Sequence, residues 1–91
     1  MPVQINIPPQ LREQTGGQAN VPVSGQTVRE ALADLVRQHP AVQTKLFDES
    51  GQLRRFLNVF VNEEDIRYLE ELDTPLTGNE VVVLLPAVAG G

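Results

Sequence analysis

The sequence predicts an α+β fold in which a mixed sheet of four to five strands carries one main helix on one face. Three observations point there. Val3-Gln4-Ile5-Asn6-Ile7 alternates apolar and polar residues with the period of a half-buried strand. Val28, Ala31, Leu32, Leu35 and Val36 recur at the i, i+3, i+4, i+7, i+8 spacing of one helical stripe. Glu80-Val81-Val82-Val83-Leu84-Leu85 is apolar at every position after its first, as expected of a strand in the middle of a sheet. A single amphipathic helix covers only one face of such a sheet.

Each element has its own local cause. Pro8-Pro9 ends the first strand because proline offers the ladder no donor. Leu11 to Gln18 reads as a turn or loop, with Thr15-Gly16-Gly17 supplying the turn chemistry. Ala19 to Val23 returns as a second strand, and Pro22 within it requires an N–H that points away from the ladder or an irregular pairing. Thr27 followed by Glu30 is a capping-box pattern that starts the helix, and His39-Pro40 stops it because the residue before proline disfavours helical geometry. From Ala41 to Arg55 the apolar spacing is too irregular for a long element, so a short helical turn and then a loop are expected, with a turn at Asp48-Glu49-Ser50-Gly51. Phe56 to Val61 is a strand with Leu57, Val59 and Val61 on one face and Phe56, Asn58 and Phe60 on the other. Residues 62–65 turn the chain, Ile66-Arg67-Tyr68 is expected as a short edge strand, and Leu69 to Leu76 as a surface connection. Thr77-Gly78-Asn79 turns into the last strand.

The first and last strands are the most apolar, so pairing them in parallel at the centre buries both. That is a β-grasp arrangement, with residues 1–85 as the domain and 86–91 as a flexible tail. The sheet face away from the helix is expected to carry an apolar docking patch including Phe60, Val82 and Leu84; the competing expectation is that loops cover it.

Composition removes several functions. The chain has 91 residues, no cysteine, one histidine and a formal charge of −5. It is long enough to fold as one domain without staples. Without cysteine there is no thiolate nucleophile or zinc-thiolate site, which suits a reducing compartment. No charged-then-apolar leader opens the chain and no run approaches the roughly 20 apolar residues of a membrane span, so the expectation is a cytoplasmic protein with no membrane association. Six arginines and one lysine are scattered among twelve carboxylates, which argues against nucleic acid and for a partner with a basic surface.

Few side chains could do chemistry. His39 sits at a helix end, where the macrodipole favours a cation, with no second histidine to form a metal site or triad. Glu63-Glu64-Asp65 lacks the spacing and glycine of a calcium loop and reads as a solvated turn. Arg54-Arg55 could pair with an acidic partner or with the turn at Glu63. Lys45 is the only lysine, hence the only side chain able to take an isopeptide bond. No phosphate-cradling loop, nucleophile elbow or pair of catalytic acids is present. The expectation is a substrate or ligand of enzymes, with no catalytic residue and no metal of its own.

The remaining handle is Pro86-Ala87-Val88-Ala89-Gly90-Gly91. Residues without a Cβ let the backbone pass through a narrow channel and present an unhindered carbonyl. Six extended residues span roughly 20 Å, enough to carry the Gly91 carboxylate from the body into a partner's active site. Val88, Ala89 and Gly90 would occupy the channel, and Gly90-Gly91 should be mobile in the free protein. The plain alternative is that terminal glycines are frayed punctuation.

With these residues in view, the chain resembles the ubiquitin-like sulfur-carrier family, which includes the small subunit of molybdopterin synthase, the thiamine-pathway carrier and the carrier of thiocarboxylate-dependent cysteine synthesis. The likeness covers nearly the whole length. It rests on Thr15-Gly16-Gly17, on Arg55-Phe56-Leu57-Asn58-Val59-Phe60-Val61-Asn62-Glu63-Glu64-Asp65, on Thr77-Gly78-Asn79-Glu80 and on the Pro86 to Gly91 tail. The last two blocks are the most specific, and the pattern looks most like the cysteine-synthesis branch.

The resemblance implies a set of partners. An E1-like adenylating enzyme would use ATP to activate Gly91, and a sulfur donor would displace AMP to leave a thiocarboxylate. A pyridoxal-phosphate-dependent cysteine synthase would supply an aminoacrylate acceptor, and a zinc metalloprotease would release cysteine and regenerate the carrier. The molybdopterin synthase large subunit is the alternative acceptor. ATP, zinc and pyridoxal phosphate then belong to partners, and this chain binds no cofactor. Two other readings compete: a protein modifier that joins Gly91 to lysines, and a β-grasp binding module with an inert tail.

Overall fold

The structure, a computed structural model, describes residues 3–86. Its order is β1 (Val3–Asn6), a 3₁₀ helix (Pro9–Thr15), β2 (Asn20–Val23), α1 (Val28–Gln38), a 3₁₀ turn (Pro40–Val42), α2 (Gln43–Leu46), β3 (Leu57–Val61), β4 (Glu64–Asp65), two 3₁₀ turns (Ile66–Tyr68 and Glu71–Asp73) and β5 (Val81–Pro86). The five strands form one sheet in the order β2-β1-β5-β3-β4. β1 and β5 run parallel at its centre, with Ile5 opposite Val82, and the β1–β2 and β3–β5 pairs are antiparallel. This is the expected β-grasp, with α1 as its main helix.

Local chemistry explains most boundaries. The segment after Pro8, expected as a loop, is a seven-residue 3₁₀ helix. Pro9 pre-sets the helical φ at its start, and buried Leu11 and Thr15 hold its inner side. Gly16 (φ 65°) and Gly17 (φ 83°) then reverse the chain in left-handed geometry, so the internal glycine pair is a turn. Pro22 is tolerated because β2 is an edge strand. The capping box forms with a shift of one residue: Thr27 Oγ1 accepts from Glu30 N at 3.2 Å, while Glu30 Oε1 accepts from Gln26 N at 2.8 Å rather than from Thr27 N.

The edge strand lies two residues earlier than expected. Asn62 (φ 47°) and Glu63 (φ 76°) form a two-residue turn with both φ positive, so pairing resumes at once with Val61 opposite Glu64. Asp65 Oδ1 then accepts from Arg67 N at 2.8 Å, and this cap turns Ile66–Tyr68 into a 3₁₀ helix instead of a strand. The connection from Leu69 to Leu76 is only partly a surface feature. Thr74 and Leu76 are buried, and their backbones bond to Val28 N and Gln26 O beside the start of α1.

The core lies between α1 and one face of the sheet. Ile5, Val21, Val59, Val82 and Leu84 from the strands meet Val28, Ala31, Leu32 and Leu35 from α1, and Ile7, Val42 and Leu46 close its ends. All of these are 2% exposed or less.

Candidate functional site

The site residues expected in the tail, Val88, Ala89, Gly90 and Gly91, lie outside the described residues. What the structure defines is the platform from which they leave. β5 pairs with β1 through Val83 and with β3 as far as Pro86, which lies opposite Leu57. Pro86 therefore belongs to the strand, and the boundary expected before it falls within β5.

The start of β5 is fixed by side-chain chemistry. The Glu80 carboxylate accepts from Thr77 N (2.7 Å), Thr77 Oγ1 (2.9 Å), Gly78 N (2.9 Å) and Asn79 N (3.2 Å). Desolvation opposes its ionisation, but the Thr77 and Gly78 backbone donors and the Thr77 hydroxyl outweigh it and push the pKa down to about 2. Asn62 adds a second anchor, its Oδ1 accepting from Val81 N at 3.0 Å and its own N–H donating to Val81 O at 3.1 Å. Sequence reasoning found the turn and missed these two side chains. The signal available was an acceptor placed one residue after Thr-Gly-Asn, where unpaired N–H groups converge.

The expected docking patch is corrected in composition. Val82 and Leu84 are fully buried, opposite Val61 and Val59 on the core side of the sheet. Phe60 pairs with Val83, between the Val59–Leu84 and Val61–Val82 pairs, and points the other way because successive strand side chains alternate faces. The open face therefore carries Phe60 with Val81, Val83 and Leu85; Val81 and Leu85 are 41% and 47% exposed. Gln4 and Asn6 border this stripe on the β1 side, through pairing with Val81 and Val83. Asn58 and Asp65, with Arg67, border it on the β3–β4 side. Arg67 donates to Asp65 Oδ2 at 2.9 Å and to Asn58 Oδ1. The Arg67 side chain is the chief cause holding the Asp65 carboxyl below the usual range, and Asp65 in turn raises the Arg67 pKa.

The remaining candidates stay apart. His39 is the C-cap of α1, its backbone N–H donating to Leu35 O at 2.8 Å. Lys45 is exposed on α2. Arg54 Nε donates to Thr44 O at 2.8 Å, and no ion pair joins Arg54 or Arg55 to Glu63 among the described residues. Glu63, Glu64 and Asp65 do not converge with other ligating side chains, and no group of three metal-ligating residues forms among the described residues. No described helix is long and apolar enough to cross a membrane.

Comparison with known proteins supplies the identity of the platform. The ThiS family profile matches residues 5–91. The chain is 42% identical to the sulfur carrier protein CysO of Mycobacterium tuberculosis over 93 positions, covering 100% of each chain. It is 28% identical to a putative sulfur carrier of Archaeoglobus fulgidus, again over the whole of both. Among solved structures, a chain of the BexX/CysO complex of Amycolatopsis orientalis has a TM-score of 0.89 at 39% identity, with 98% of this chain and 99% of that chain covered. Small archaeal modifier protein 1 of Methanosarcina acetivorans has a TM-score of 0.85 at 33% identity, covering 98% and 95%. The open-faced β-grasp and this likeness along the full chain agree: the protein is a non-catalytic, ubiquitin-like sulfur carrier and belongs to the ThiS family, resembling CysO more than the archaeal relatives.

Proposed function

We propose that the Gly91 carboxylate is the group that carries sulfur. A carboxylate is a poor electrophile, so it must first be activated. One of its oxygens attacks the α-phosphorus of ATP on an E1-like adenylating enzyme, pyrophosphate leaves, and an acyl adenylate forms. A sulfide-level donor then adds to the carbonyl carbon, and AMP departs with that oxygen, leaving a thiocarboxylate. The observation that carries this reading is a family match that runs through residue 91.

The body supports the chemistry by placement. β5 is bonded on both sides through Val83, and its far end is held by Leu57, so the last residues leave a rigid strand instead of a loop. The stripe of Phe60, Val81, Val83 and Leu85 offers the partner an apolar contact beside the same strand, while Val88, Ala89 and Gly90 fill its channel. Likeness to CysO favours cysteine synthesis in the cytoplasm, with a pyridoxal-phosphate-dependent synthase as acceptor and a zinc metalloprotease releasing the product. A relative crystallised as the BexX/CysO complex supports the general idea of a protein acceptor. The molybdopterin synthase large subunit is the alternative acceptor. ATP, zinc and pyridoxal phosphate remain with those partners.

The test is intact-mass spectrometry after incubation with ATP, an adenylating enzyme and a sulfur donor. Wild type should gain the mass of one oxygen replaced by sulfur, and a Gly91 deletion should not. No gain with an enzyme competent on another carrier would overturn the proposal. A second reading, protein modification, is favoured by the 33% identity to the archaeal modifier. It predicts covalent adducts through target lysines in cell extract, which sulfur transfer alone does not produce.

A further inference from the structure

We propose that a cleft beside the root of the tail, rimmed by Arg54 and Arg55, docks an acidic loop of the adenylating partner. The inference rests on the carrier reading and adds a charge-based part of the address. The cleft has a volume of about 390 Å³. Leu53, Leu57 and Ile66 contribute apolar lining, and Arg54, Arg55 and Arg67 contribute positive charge.

Its position selects the partner. Leu57 lines the cleft and is also the residue opposite Pro86, the last described residue of β5. An enzyme that receives the tail must close around Pro86, and its surface then meets the cleft mouth.

Its charge selects the chemistry. Three arginines and two carboxylates, Asp65 and Glu71, line the cleft, so the local balance is positive on a chain of net charge −5. The arginines are not equally available. Arg67 is committed to Asp65 and Asn58. Arg54 is held by Thr44 O, and its charge reaches Asp48. Arg55 is exposed and makes no hydrogen bond or ion pair among the described residues. It is the charge available to a carboxylate from outside, with Arg54 beside it and apolar surface beneath. A partner segment with acidic residues flanking an apolar one fits this arrangement.

The test compares Arg55→Glu with Arg37→Glu in ATP-dependent adenylation, using an enzyme that accepts the wild-type chain. Both changes shift net charge equally. The exposed Arg37 pairs with Asp34 beside the β2 edge, where Asp34 and Gln38 contact Ser24 and Pro22, and β2 is the sheet edge away from the β3–β4 side that lines the cleft. Arg55→Glu should lower kcat/KM about threefold to tenfold at low salt through KM with kcat unchanged, and the deficit should narrow as ionic strength rises. Arg37→Glu should match wild type. Unchanged kinetics in Arg55→Glu, an equal loss in Arg37→Glu, or a loss confined to kcat would overturn the docking inference and leave the carrier reading standing. Failure of the wild-type chain to be adenylated by any such enzyme would instead remove the carrier reading, and the inference with it.

Discussion

Along β5, Val82 and Leu84 are fully buried in the core shared with α1, whereas Val81 and Leu85, at alternate positions of the same strand, remain 41% and 47% exposed. Both sets are apolar, so composition does not separate them. What separates them is parity relative to a single covering helix. On the core side, each residue contributes to stability by leaving water, on the order of 1.5–3 kcal/mol for a fully buried aliphatic side chain. On the open side, the same kind of residue adds little to the fold, and its apolar surface is available to another protein. One strand thus holds the body together with one face and leaves the other exposed, the face proposed above to meet a partner.

The comparison can be broken most forcefully at its core side. Leu84→Ala should destabilise the fold by about 2–5 kcal/mol, the range for large-to-small changes in a packed core, as read from denaturant midpoints. Leu85→Ala, one residue away, should cost less than about 1 kcal/mol. Similar losses at the two positions would contradict the assignment of faces.

A smaller effect is expected at the turn that feeds β5. The Glu80 pKa in the folded state is depressed to about 2 from an ordinary 4.5. A depressed carboxylate contributes stability that is fully present above its unfolded pKa and is lost as pH falls through the folded value. The window is therefore pH 4.5 down to about 2, and the loss should be about 1–2 kcal/mol after allowance for partial solvent exposure. Glu80→Gln should lose part of this stability at neutral pH and flatten the acid limb of a stability-versus-pH curve. An unchanged acid limb would show that the four donors around Glu80 are not an energetic unit.

Much of this arrangement was legible in the sequence. Alternation in Val3–Ile7 and in Phe56–Val61, the helical stripe from Val28 to Val36, and the apolar run after Glu80 were enough to give the sheet, its one helix and the parallel central pair. The points missed each have a separate physical cause. A run that is apolar at every position has no internal signal of parity, so Val82 and Leu84 were assigned to the open face when the register with Val59 and Val61 turns them inward. The edge strand was displaced because the turn at Asn62-Glu63 is set by positive φ at a glutamate, a conformation that composition alone would not assign. At the Pro9–Thr15 segment, burial of Leu11 and Thr15 converts an expected loop into 3₁₀ helix. In the candidate site, Gly91 and the channel residues were read from residue type and family resemblance, and the Arg55 cleft emerged only when the segment before β3, β3 itself, β4 and the 3₁₀ turns after it were brought together.

The central claim is that the open face of β5 is an address and not part of the core. Leu85→Asp tests it most directly, with adenylation kinetics and a denaturation midpoint measured on the same preparation. The account predicts a stability within about 0.5 kcal/mol of wild type, as for other surface changes, together with a raised KM for the adenylating enzyme. A destabilised fold would mean that this face belongs to the core, and an unchanged KM in a stable protein would mean that the partner does not read it.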